Sequence, residues 1–590
     1  MYLIKDRRPV YYIGIATTFH DPAIAIVDQT GKILFAEATE RPLQDKRAID
    51  QRADSFTQMP ALLRRYCDPE AELVVATTWS RLFSAFLRLG ALARRLAFPE
   101  LRRLSAERGR WLVSDFELQS YASLLHNTQE RAGIGVLTAA QQAFGHRRVC
   151  VERYEHHRTH AAHACLTSPF DSAICAVVDG MGEFGSMAFY HYQDGEIRHL
   201  ARQFGYQSLG FFYSMLTDLC GFQSALEEQW KVMGLASYGK PDAELKEILH
   251  DLCFVESRRL QIPGRDQVRK LTEAIEQRVR PSVGDPMAAA ALAHAGQEIF
   301  CQNMTALLRP VAELGLSDNL VLAGGCALNS AYNGRVLSET GFRHLYVPAA
   351  PADDGNAIGA ALLAQRRRAG GTPWHPGQHN SAYPYLGSEL SSEALKRMET
   401  LGLPGRVQRP GNGLAKKIAS LLASGRVVGW VQGRAEFGPR ALGNRSILAD
   451  PRNPGMPDHL NRIVKFREAF RPFAPAILDE HGPDYFADYQ FSPYMERALR
   501  FRPDKAKDVP AVVHVDGTGR LQSVLRDKNP RFYALIEAFA AQTGIPIVLN
   551  TSYNIMHKPI VHAVEDALGL FYTAGLDVLV LEDLVIEKHC

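Results

Sequence analysis

The sequence lacks any close pair of cysteines. Its 590 residues include nine cysteines, an odd number, and no two of them are spaced as Cys-x-x-Cys. This scatter argues against a thiolate zinc site and predicts a reducing compartment. The chain also has no run of about twenty apolar residues, and no apolar stretch of the secretory type follows its charged first residues. We therefore expect a soluble, cytoplasmic protein that does not associate with a membrane.

The sequence also has no large excess of positive or negative charge. Lysine and arginine total 67 against 64 aspartate and glutamate, a net charge of only +3, so the composition does not predict nucleic-acid binding. Apolar residues at 46% and charged residues at 22% are ordinary for a globular protein. A chain of this length is too long to pack around a single hydrophobic core, so two or three domains are expected. The turn-rich, polar residues 367–386 are the best candidate for a domain boundary.

Strands that alternate with glycine turns and helical segments predict an α/β architecture. Residues 10–16, 23–28 and 33–38 have the pattern of three strands near the start of the chain. Further on, the apolar segments 172–178 and 319–322 each lead into a glycine-rich turn. The same sequence of elements recurs around residue 350.

The region between residues 60 and 145 is mostly helical in pattern. Within it, residues 84–104 are basic and amphipathic. A surface helix that packs on its leucines is the simpler interpretation, and a membrane-surface or partner-binding helix is the alternative.

Candidate phosphate-binding residues are most concentrated in residues 429–446, where three arginines lie among glycines directly after an apolar run. A second basic cluster occupies residues 465–475, and a polar segment follows at 549–554. Guanidinium groups make paired hydrogen bonds to phosphate oxygens, and glycines let backbone N–H groups approach the same anion. These segments predict a buried phosphate site, with a structural ion-pair network as the alternative. The side chains concerned are Arg434, Arg440, Arg445, Lys465, Arg467, Arg471, Asn550 and Ser552.

Four histidines fall within eight residues, at positions 156, 157, 160 and 163. On a helix, His156 and His160 face the same side, which is the spacing that a pair of metal ligands needs. Asp179 and Asp354, each at a strand-end turn, are candidates for two further ligands. Imidazole and carboxylate ligands suit iron, manganese or zinc, whereas buried structural histidines are the alternative.

Two further strand-end turns carry candidate groups. Gly324 and Gly325, followed by Asn329, could cradle a nucleotide because backbone N–H groups and a helix N-terminus attract phosphate. His20 and Asp21 follow the first strand and could supply a general base near a reacting hydroxyl. A tight turn explains the Gly324–Gly325 segment equally well, and a His-Asp pair by itself is more often a turn than a catalytic group.

Taken together, these motifs resemble the O-carbamoyltransferases of nodulation-factor and antibiotic biosynthesis. The matching pieces include Thr-Phe-His-Asp at 18–21, His-His-Arg-Thr-His at 156–160 and Gly-Gly-Cys-Ala-Leu-Asn at 324–329. They span nearly the whole chain in the expected order. The remaining matches are residues 40–41, 179–180, 231–239, 354–359, 434–446, 465–475 and 550–554.

The resemblance implies two catalytic domains. Residues 1–375 are expected to form an actin/sugar-kinase-like carbamoyl-transfer domain with a helical insertion at 80–145. Residues 386–590 are expected to form a YrdC-like twisted α/β domain that makes carbamoyl-adenylate from ATP and carbamoyl phosphate. The implied metals are Mg²⁺ and Fe²⁺, the acceptor is a hydroxyl-bearing small molecule, and a homodimer is possible.

The resemblance also implies roles for single residues. His20, Asp21, Arg440 and Arg471 are expected to be catalytic, and His156, His160, Asp179 and Asp354 to bind the metal, with Asp353 one residue away. The expected nucleotide and phosphate ligands are Lys231, Gly324, Gly325, Asn329, Arg434, Arg445, Lys465, Arg467, Asn550 and Ser552. The chain departs from the family pattern at Lys558, where a carboxylate is usual, and at Phe19 and Pro22, where smaller residues are usual.

Two other functions remain as alternatives. Threonylcarbamoyl transfer to tRNA uses the same pair of domains, but it should come with a basic surface. A non-catalytic nucleotide-binding regulator would be expected to lose the His156/His160 pair or Arg440. Hydrogenase-maturation carbamoyltransferases carry Cys-x-x-Cys motifs that this sequence lacks.

Overall fold

The computed structural model describes residues 8–588 apart from 97–114, 147, 206, 280–284, 371–373 and 375–382. The strands in chain order are β1 Val10–Ala16, β2 Ala23–Val27, β3 Ile33–Ala38, β4 Glu72–Thr78, β5 Val149–Tyr154, β6 Ser172–Val178, β7 Gly185–Gln193, β8 Glu196–Phe204, β9 Phe254–Glu256, β10 Arg259–Gln261, β11 Asn319–Ala323, β12 His344–Tyr346, β13 Arg406–Gln408, β14 Val428–Val431, β15 Arg445–Ala449, β16 Ala474–Leu478, β17 Arg497–Arg500, β18 Thr518–Val524, β19 Ile547–Ser552, β20 Val578–Leu581 and β21 Leu584–Glu587.

The helices fall into two groups, before and after the candidate boundary. Those of the first group are Glu40–Leu43, Met59–Tyr66, Arg81–Leu96, Asp115–Arg131, Ile134–Phe144, His156–Thr167, Leu209–Leu219, Gln229–Ala236, Ala243–Leu252, Arg265–Arg278, Ala290–Ala312, Ser330–Asn333, Val336–Thr340 and Asn356–Ala369. Those of the second are Ser392–Leu401, Leu414–Ala423, Met456–Leu460, Gly482–Tyr485, Pro503–Ala506, Pro530–Thr543 and Val564–Thr573.

The first sheet has the strand order β3-β2-β1-β4-β5. Strand β2 is antiparallel to β1 and β3, whereas β4 is parallel to β1 and β5. The three predicted strands at the start of the chain are confirmed as β1 to β3. The hairpin strands come first in the sequence, and the parallel strands are added through helical crossovers.

The second sheet repeats this topology. Its order is β12-β11-β6-β7-β8, with β7 antiparallel to β6 and β8, and with β11 parallel to β6 and β12. Two copies of one five-stranded unit in a single chain are the architecture of actin and the sugar kinases. The predicted α/β fold class, with an actin/sugar-kinase-like N-terminal part, is confirmed.

The third sheet has nine strands in the order β13-β21-β20-β14-β15-β19-β16-β18-β17. Only the β14/β20 and β16/β18 pairs are parallel. Helices Leu414–Ala423 and Pro530–Thr543 cover one face through a core that includes Trp430 and Phe532. The first two sheets use residues 10–346 and the third uses residues 406–587. The predicted boundary at 367–386 stays a prediction, and residues 371–373 and 375–382 lie outside the described part of the chain.

Small residues let one helix approach the first sheet and the histidine helix at once. A Cβ at Gly14 of β1 would lie 1.7 Å from the carbonyl oxygen of Ala357, and one at Gly359 would lie 1.9 Å from that of Thr159. Helix Asn356–Ala369 therefore fits between β1 and helix His156–Thr167 only because these positions have no side chain. This packing sets the depth at which the histidines lie.

The predicted helical insertion at 80–145 is helical where it is described, in Arg81–Leu96, Asp115–Arg131 and Ile134–Phe144. For the basic segment 84–104, the predicted packing on leucines is only partly right. Leu87 is buried, but Leu89 is 67% exposed. Residues 97–104 of the predicted basic helix lie outside the described residues. No described helix combines the length and apolar character that a membrane span requires.

Candidate functional site

Four side chains meet in a buried cluster at the edge of the first two sheets: His156, His160, Asp179 and Asp353. One ligand atom from each lies within 4.8 Å of all the others. The two Nε2 atoms are 3.2 Å apart, and His156 Nε2 lies 3.2 Å from Asp179 Oδ2. His160 Nε2 lies 3.2 Å from Asp353 Oδ1. The composition and spacing of these atoms fit a divalent cation with nitrogen and oxygen ligands.

The predicted ligand Asp354 is replaced by its neighbour Asp353. Asp353 opens the one-turn helix Asp353–Gly355 and turns its carboxylate toward the two histidines. Asp354 Oδ1 instead accepts a hydrogen bond from the backbone N–H of Gly355. Burial and the nearby Asp21 carboxylate raise the pKa of Asp354 to about 7. The sequence does not distinguish Asp353 from Asp354 as a candidate ligand. The helix Asp353–Gly355 does, because it directs only the Asp353 carboxylate toward the histidines.

Local hydrogen bonds orient the histidine and aspartate side chains of the cluster. The helix that carries both histidines begins after Glu155, whose carboxylate caps it by accepting from His157 N and Arg158 N. Pro351 O lies 3.2 Å from His160 Nδ1, so that Nδ1–H donates and Nε2 keeps its lone pair for the cluster. Asp179 Oδ1 accepts from Gly325 N at 2.9 Å.

The turn at Gly324 thus supports the cluster directly. Gly324 has a φ of +86°, and a Cβ there would lie 2.3 Å from Val178 O. Only glycine fits, because the turn crosses the end of β6 and is left-handed. A nucleotide role for Gly324 and Gly325 stays a prediction, whereas their contact with Asp179 was not predicted.

The other two histidines of the motif are structural. Burial lowers the pKa of His157 and of His163 to about 3, so both imidazoles are neutral. Tyr383 contacts His163 Nε2 through its hydroxyl. By contrast, His156 has a pKa of about 10, because Asp353 and Asp179 outweigh the effect of burial. The two aspartates, which lie beside His156 and His160, thus separate the pair of candidate ligands from the two neighbouring histidines.

His20 and Asp21 lie beside the cluster. His20 Nδ1 is 2.7 Å from Asp21 Oδ2 and 3.8 Å from Asp353 Oδ2. Arg47 donates to Asp21 at 3.2 Å. Burial by itself would raise the pKa of Asp21, but Arg47 and His20 hold it below the usual range. The Asp21 carboxylate is therefore ionised and can orient the imidazole, as a general base requires.

A second site, which we call the arginine recess, lies in the part of the chain that forms the nine-stranded sheet. Four guanidinium groups converge there: Arg440, Arg467, Arg471 and Arg520. Burial and the other three arginines lower the pKa of Arg520. Burial lowers the pKa of Arg440 to about 10 and that of Arg471 to about 10. Among the described residues, no carboxylate pairs with Arg440 or Arg520, and Arg520 Nε has no hydrogen-bond partner. Glu468 lies 3.4 Å from Arg471, but the four guanidinium groups together keep an excess of positive charge, which is what a polyanion requires.

Arg520 was not predicted. It belongs to β18, and strand alternation puts Gln522 on the same face. Gln522 Oε1 accepts from Asn550 Nδ2 at 2.8 Å, which connects this face to a predicted ligand. The polar residues at 518, 520 and 522 are the signal that could have identified it.

Lys465 lies deep in the same region. Its ammonium group donates to Ser552 O at 2.7 Å, Asn554 O at 2.9 Å and Asn554 Oδ1 at 2.6 Å. Burial and the nearby Arg467 lower its pKa. Asn550 Oδ1 is buried without a hydrogen-bond partner among the described residues. The structure thus brings Lys465, Asn550 and Ser552 together with the arginines.

Two predicted phosphate ligands have different partners. Arg445 is fully buried and donates to the carbonyl oxygens of Gln432, Gly433, Asn444 and Ser388. Arg434 donates to the carbonyl oxygens of Gly387, Leu34 and Leu386. A phosphate would have to displace these bonds. Both arginines therefore brace the backbone in this structure, and their predicted phosphate role stays a prediction.

Replacement of Arg445 by alanine should destabilise the fold around the nine-stranded sheet by roughly 2–4 kcal/mol, because four carbonyl groups lose a donor, two of them in buried and two in partly buried hydrogen bonds. Thermal unfolding should show a drop of several degrees in the midpoint. An unchanged midpoint together with lost ATP binding would return Arg445 to the anion site.

Two other predicted ligands are also engaged elsewhere. Asn329 caps helix Ser330–Asn333 by accepting from Tyr332 N, and its amide exchanges two hydrogen bonds with Gln297. Lys231 is paired with Glu228 at 2.5 Å and with Glu468 at 2.7 Å. Asn329 therefore has a capping role, and Lys231 links the two parts of the chain through Glu468.

The two sites are joined by a direct contact. A Cβ at Gly438, in the loop that carries Arg440, would lie 2.3 Å from Ala349 O, and Arg41 donates to Gly438 O at 2.7 Å. Two residues after Ala349, Pro351 O holds His160. The arginine loop thus packs on the segment that orients a histidine of the other site, which the sequence did not predict.

The unusual Lys558 lies at the same junction. Its ammonium donates to Gln44 O at 3.4 Å, and Gln44 Nε2 donates to Ile560 O at 3.1 Å. The lysine therefore contacts the short helix Glu40–Leu43 from across the junction rather than the arginine recess.

Comparison with known proteins gives two family matches that cover most of the chain. The model of the carbamoyltransferase N-terminus matches residues 11–362, and that of the carbamoyltransferase C-terminus matches residues 419–588.

Individual relatives agree with these matches. The uncharacterized protein sll1178 of Synechocystis sp. is 33% identical over 98% of this chain and 97% of its own length. Nodulation protein U of Rhizobium fredii is 31% identical over 93% of this chain and 90% of its own length. Nodulation protein NolO of Bradyrhizobium diazoefficiens is 34% identical over 74% of this chain and 79% of its own length.

Proposed function

The chain belongs to the carbamoyltransferase family, and from this premise we propose that it is an ATP-dependent O-carbamoyltransferase. In this proposal the arginine recess forms carbamoyl-adenylate from carbamoyl phosphate and ATP. The His/Asp cluster then serves transfer of the carbamoyl group to a hydroxyl of a small molecule. The observation that carries the proposal is the pairing of an uncompensated cationic recess with a histidine–aspartate cluster across one packed junction.

The charge of the recess supports the donor reaction. ATP and carbamoyl phosphate together bring about five to six negative charges, of which Arg440, Arg467, Arg471 and Arg520 would offset up to four. The balanced reaction uses one water molecule, which releases phosphate and leaves carbamate. A carbamate oxygen then bonds to the α-phosphorus, and the bond from that phosphorus to pyrophosphate breaks.

The donor atoms of the cluster fit a bound metal, and Fe²⁺ is the metal we propose. His156, His160, Asp179 and Asp353 would hold it, with His160 fixed by Pro351 O and Asp179 by Gly325 N. A divalent cation there would bind the adenylate phosphate and make AMP a better leaving group.

His20 is the proposed base for the acceptor. Its Nδ1 faces the ionised Asp21, so Nε2 is the atom that can take the proton. The acceptor oxygen attacks the carbamoyl carbon, the bond from that carbon to the AMP oxygen breaks, and the proton moves to His20. Asp21, itself held by Arg47, stabilises the imidazolium that forms.

Incubation with ATP, Mg²⁺ and carbamoyl phosphate, without an acceptor, tests the proposal. Mass spectrometry should detect carbamoyl-adenylate, pyrophosphate and phosphate. Absence of all three from protein with its metal content verified would favour a non-catalytic nucleotide-binding regulator.

A further inference from the structure

Part of the arginine recess packs on the hydrophobic core around the second sheet. Phe470, which lies between two of the recess arginines in the chain, is buried in a cluster whose other buried members fall within 174–347. Its ring centroid lies 6.1 Å from that of Phe222. A Cβ at Gly234 would lie 3.6 Å from Pro472 Cδ, an ordinary van der Waals contact. The segment that carries two recess arginines is therefore held by the first part of the chain.

Helix Gln229–Ala236, which contributes to the same core, brings an aromatic ring against the recess. Arg471 Cζ lies 3.6 Å from the centroid of the Trp230 ring, within the range of a cation–π contact. So short a separation leaves no room for an edge-on approach, and the guanidinium face therefore lies on the ring. A guanidinium group in this position keeps the N–H groups of its plane for other partners. The Arg471 side chain is only 16% exposed, so few water molecules compete for them.

The next residue, Lys231, engages the carboxylate beside Arg471. Lys231 Nζ lies 2.7 Å from Glu468 Oε1 and 2.5 Å from Glu228 Oε1. Glu468 Oε2 lies 3.4 Å from Arg471. Burial by itself would raise the pKa of Glu468, but Lys231 and Arg471 hold it below its usual range, so this carboxylate is ionised. Because Lys231 makes the closer contact with Glu468, the positive charge of Arg471 stays available to an anion.

We propose that Trp230 is a positioning residue for the donor reaction. Its ring fixes the plane of the Arg471 guanidinium group, so that the N–H groups in that plane are ready for phosphate oxygens of ATP or carbamoyl phosphate. Rotamer freedom that a long arginine side chain has already lost need not be lost when the anion binds. The inference rests on the proposed carbamoyl-adenylate formation and adds to it a side chain from the first part of the chain. The 3.6 Å contact between Arg471 and Trp230 carries it.

Replacement of Trp230 by leucine should lower ATP affinity by about 3- to 30-fold, the factor expected when a partly buried cation–π contact is lost. Titration calorimetry on the full-length, metal-loaded protein measures the affinity. Pyrophosphate release without an acceptor measures kcat/KM for ATP, which should fall by a similar factor. Trp230→Phe keeps an aromatic face and should retain most of both. Trp230→Met takes the place of the leucine variant if that variant does not fold.

Phe56→Leu is the matched control. Arg52 Cζ lies 4.9 Å from the centroid of the Phe56 ring, and Phe56 is 50% exposed. The substitution therefore removes the same kind of contact from a segment that does not belong to the recess. ATP affinity and kcat/KM should not change.

A double-mutant cycle separates positioning from a general structural role. In the Arg471→Ala background, Trp230→Leu should reduce ATP affinity by less than about twofold, because the ring then has no guanidinium group to hold. A structural role would reduce the affinity equally in both backgrounds. The calorimetric cycle does not depend on turnover, so slow variants remain measurable.

Unchanged ATP affinity in Trp230→Leu, an equal loss in both backgrounds, or a Trp230→Phe variant as weak as the leucine variant would overturn the inference. If the parent protein makes carbamoyl-adenylate but the cycle shows no coupling, the inference fails and the proposed function stands. If the cycle shows coupling but the parent makes no carbamoyl-adenylate, the proposed function fails and Trp230 keeps its role at an anion site. A parent protein that does not bind ATP would overturn both.

Discussion

Replacement of Arg440 by alanine should abolish most carbamoyl-adenylate formation, with a fall of about 100- to 1000-fold in kcat/KM. Arg440 has no carboxylate partner among the described residues, and burial lowers its pKa to about 10. Its charge is therefore available to the polyanion. The donor reaction without acceptor, followed as pyrophosphate release, is the measurement.

The folded state should tolerate this change. An uncompensated, partly buried charge opposes folding, so the thermal midpoint of Arg440→Ala should equal or exceed that of the parent. Arg526→Ala is the matched control, because Arg526 is 61% exposed and pairs with Glu537 at 2.6 Å. Equal pyrophosphate release from both variants would remove Arg440 from the donor site. A collapse of the midpoint would instead give Arg440 a bracing role like that of Arg445.

Replacement of Asp353 by asparagine should remove the metal and reduce carbamoyl transfer by at least about 100-fold. The substitution keeps the size of the side chain but deletes the charge that faces both histidines. Carbamoyl-adenylate formation should continue, since the arginines belong to the part of the chain that forms the nine-stranded sheet. Elemental analysis and the two half-reactions, measured separately, check the result.

Asp354→Asn is the control that the chain itself supplies. Asp354 contacts Gly355 N, and burial with the adjacent Asp21 raises its pKa to about 7. We expect this variant to keep its metal. Loss of metal from Asp354→Asn with retention in Asp353→Asn would reverse the assignment of the fourth ligand.

Much of the architecture follows from local pattern. Strands β1, β6 and β11 were predicted from apolar runs that end in glycine or polar turns, and helix His156–Thr167 places His156 and His160 on one side as their spacing requires. Such features depend on periodicities of two and 3.6 residues, which sequence carries directly.

The roles of the three arginines in residues 429–446 could be assigned only from the tertiary structure. Arg434, Arg440 and Arg445 look alike in one motif, yet two of them meet backbone carbonyls and one meets none in the described chain. The partner of a buried guanidinium group comes from distant segments, such as Leu34 for Arg434. No pattern within residues 429–446 contains that information.

The sequence by itself determined the α/β class and the identity of the main chemical groups, because both depend on residue types at short, regular spacings. It also pointed to the family, because its motifs resemble those of known carbamoyltransferases in order along the chain. The tertiary structure decided that Asp353 rather than Asp354 joins the histidines, that Arg520 completes the arginine recess, and that Ala349 packs on the arginine loop. These contacts join residues far apart in the chain. Their geometry depends on helix packing and domain contact, which local spacing does not encode.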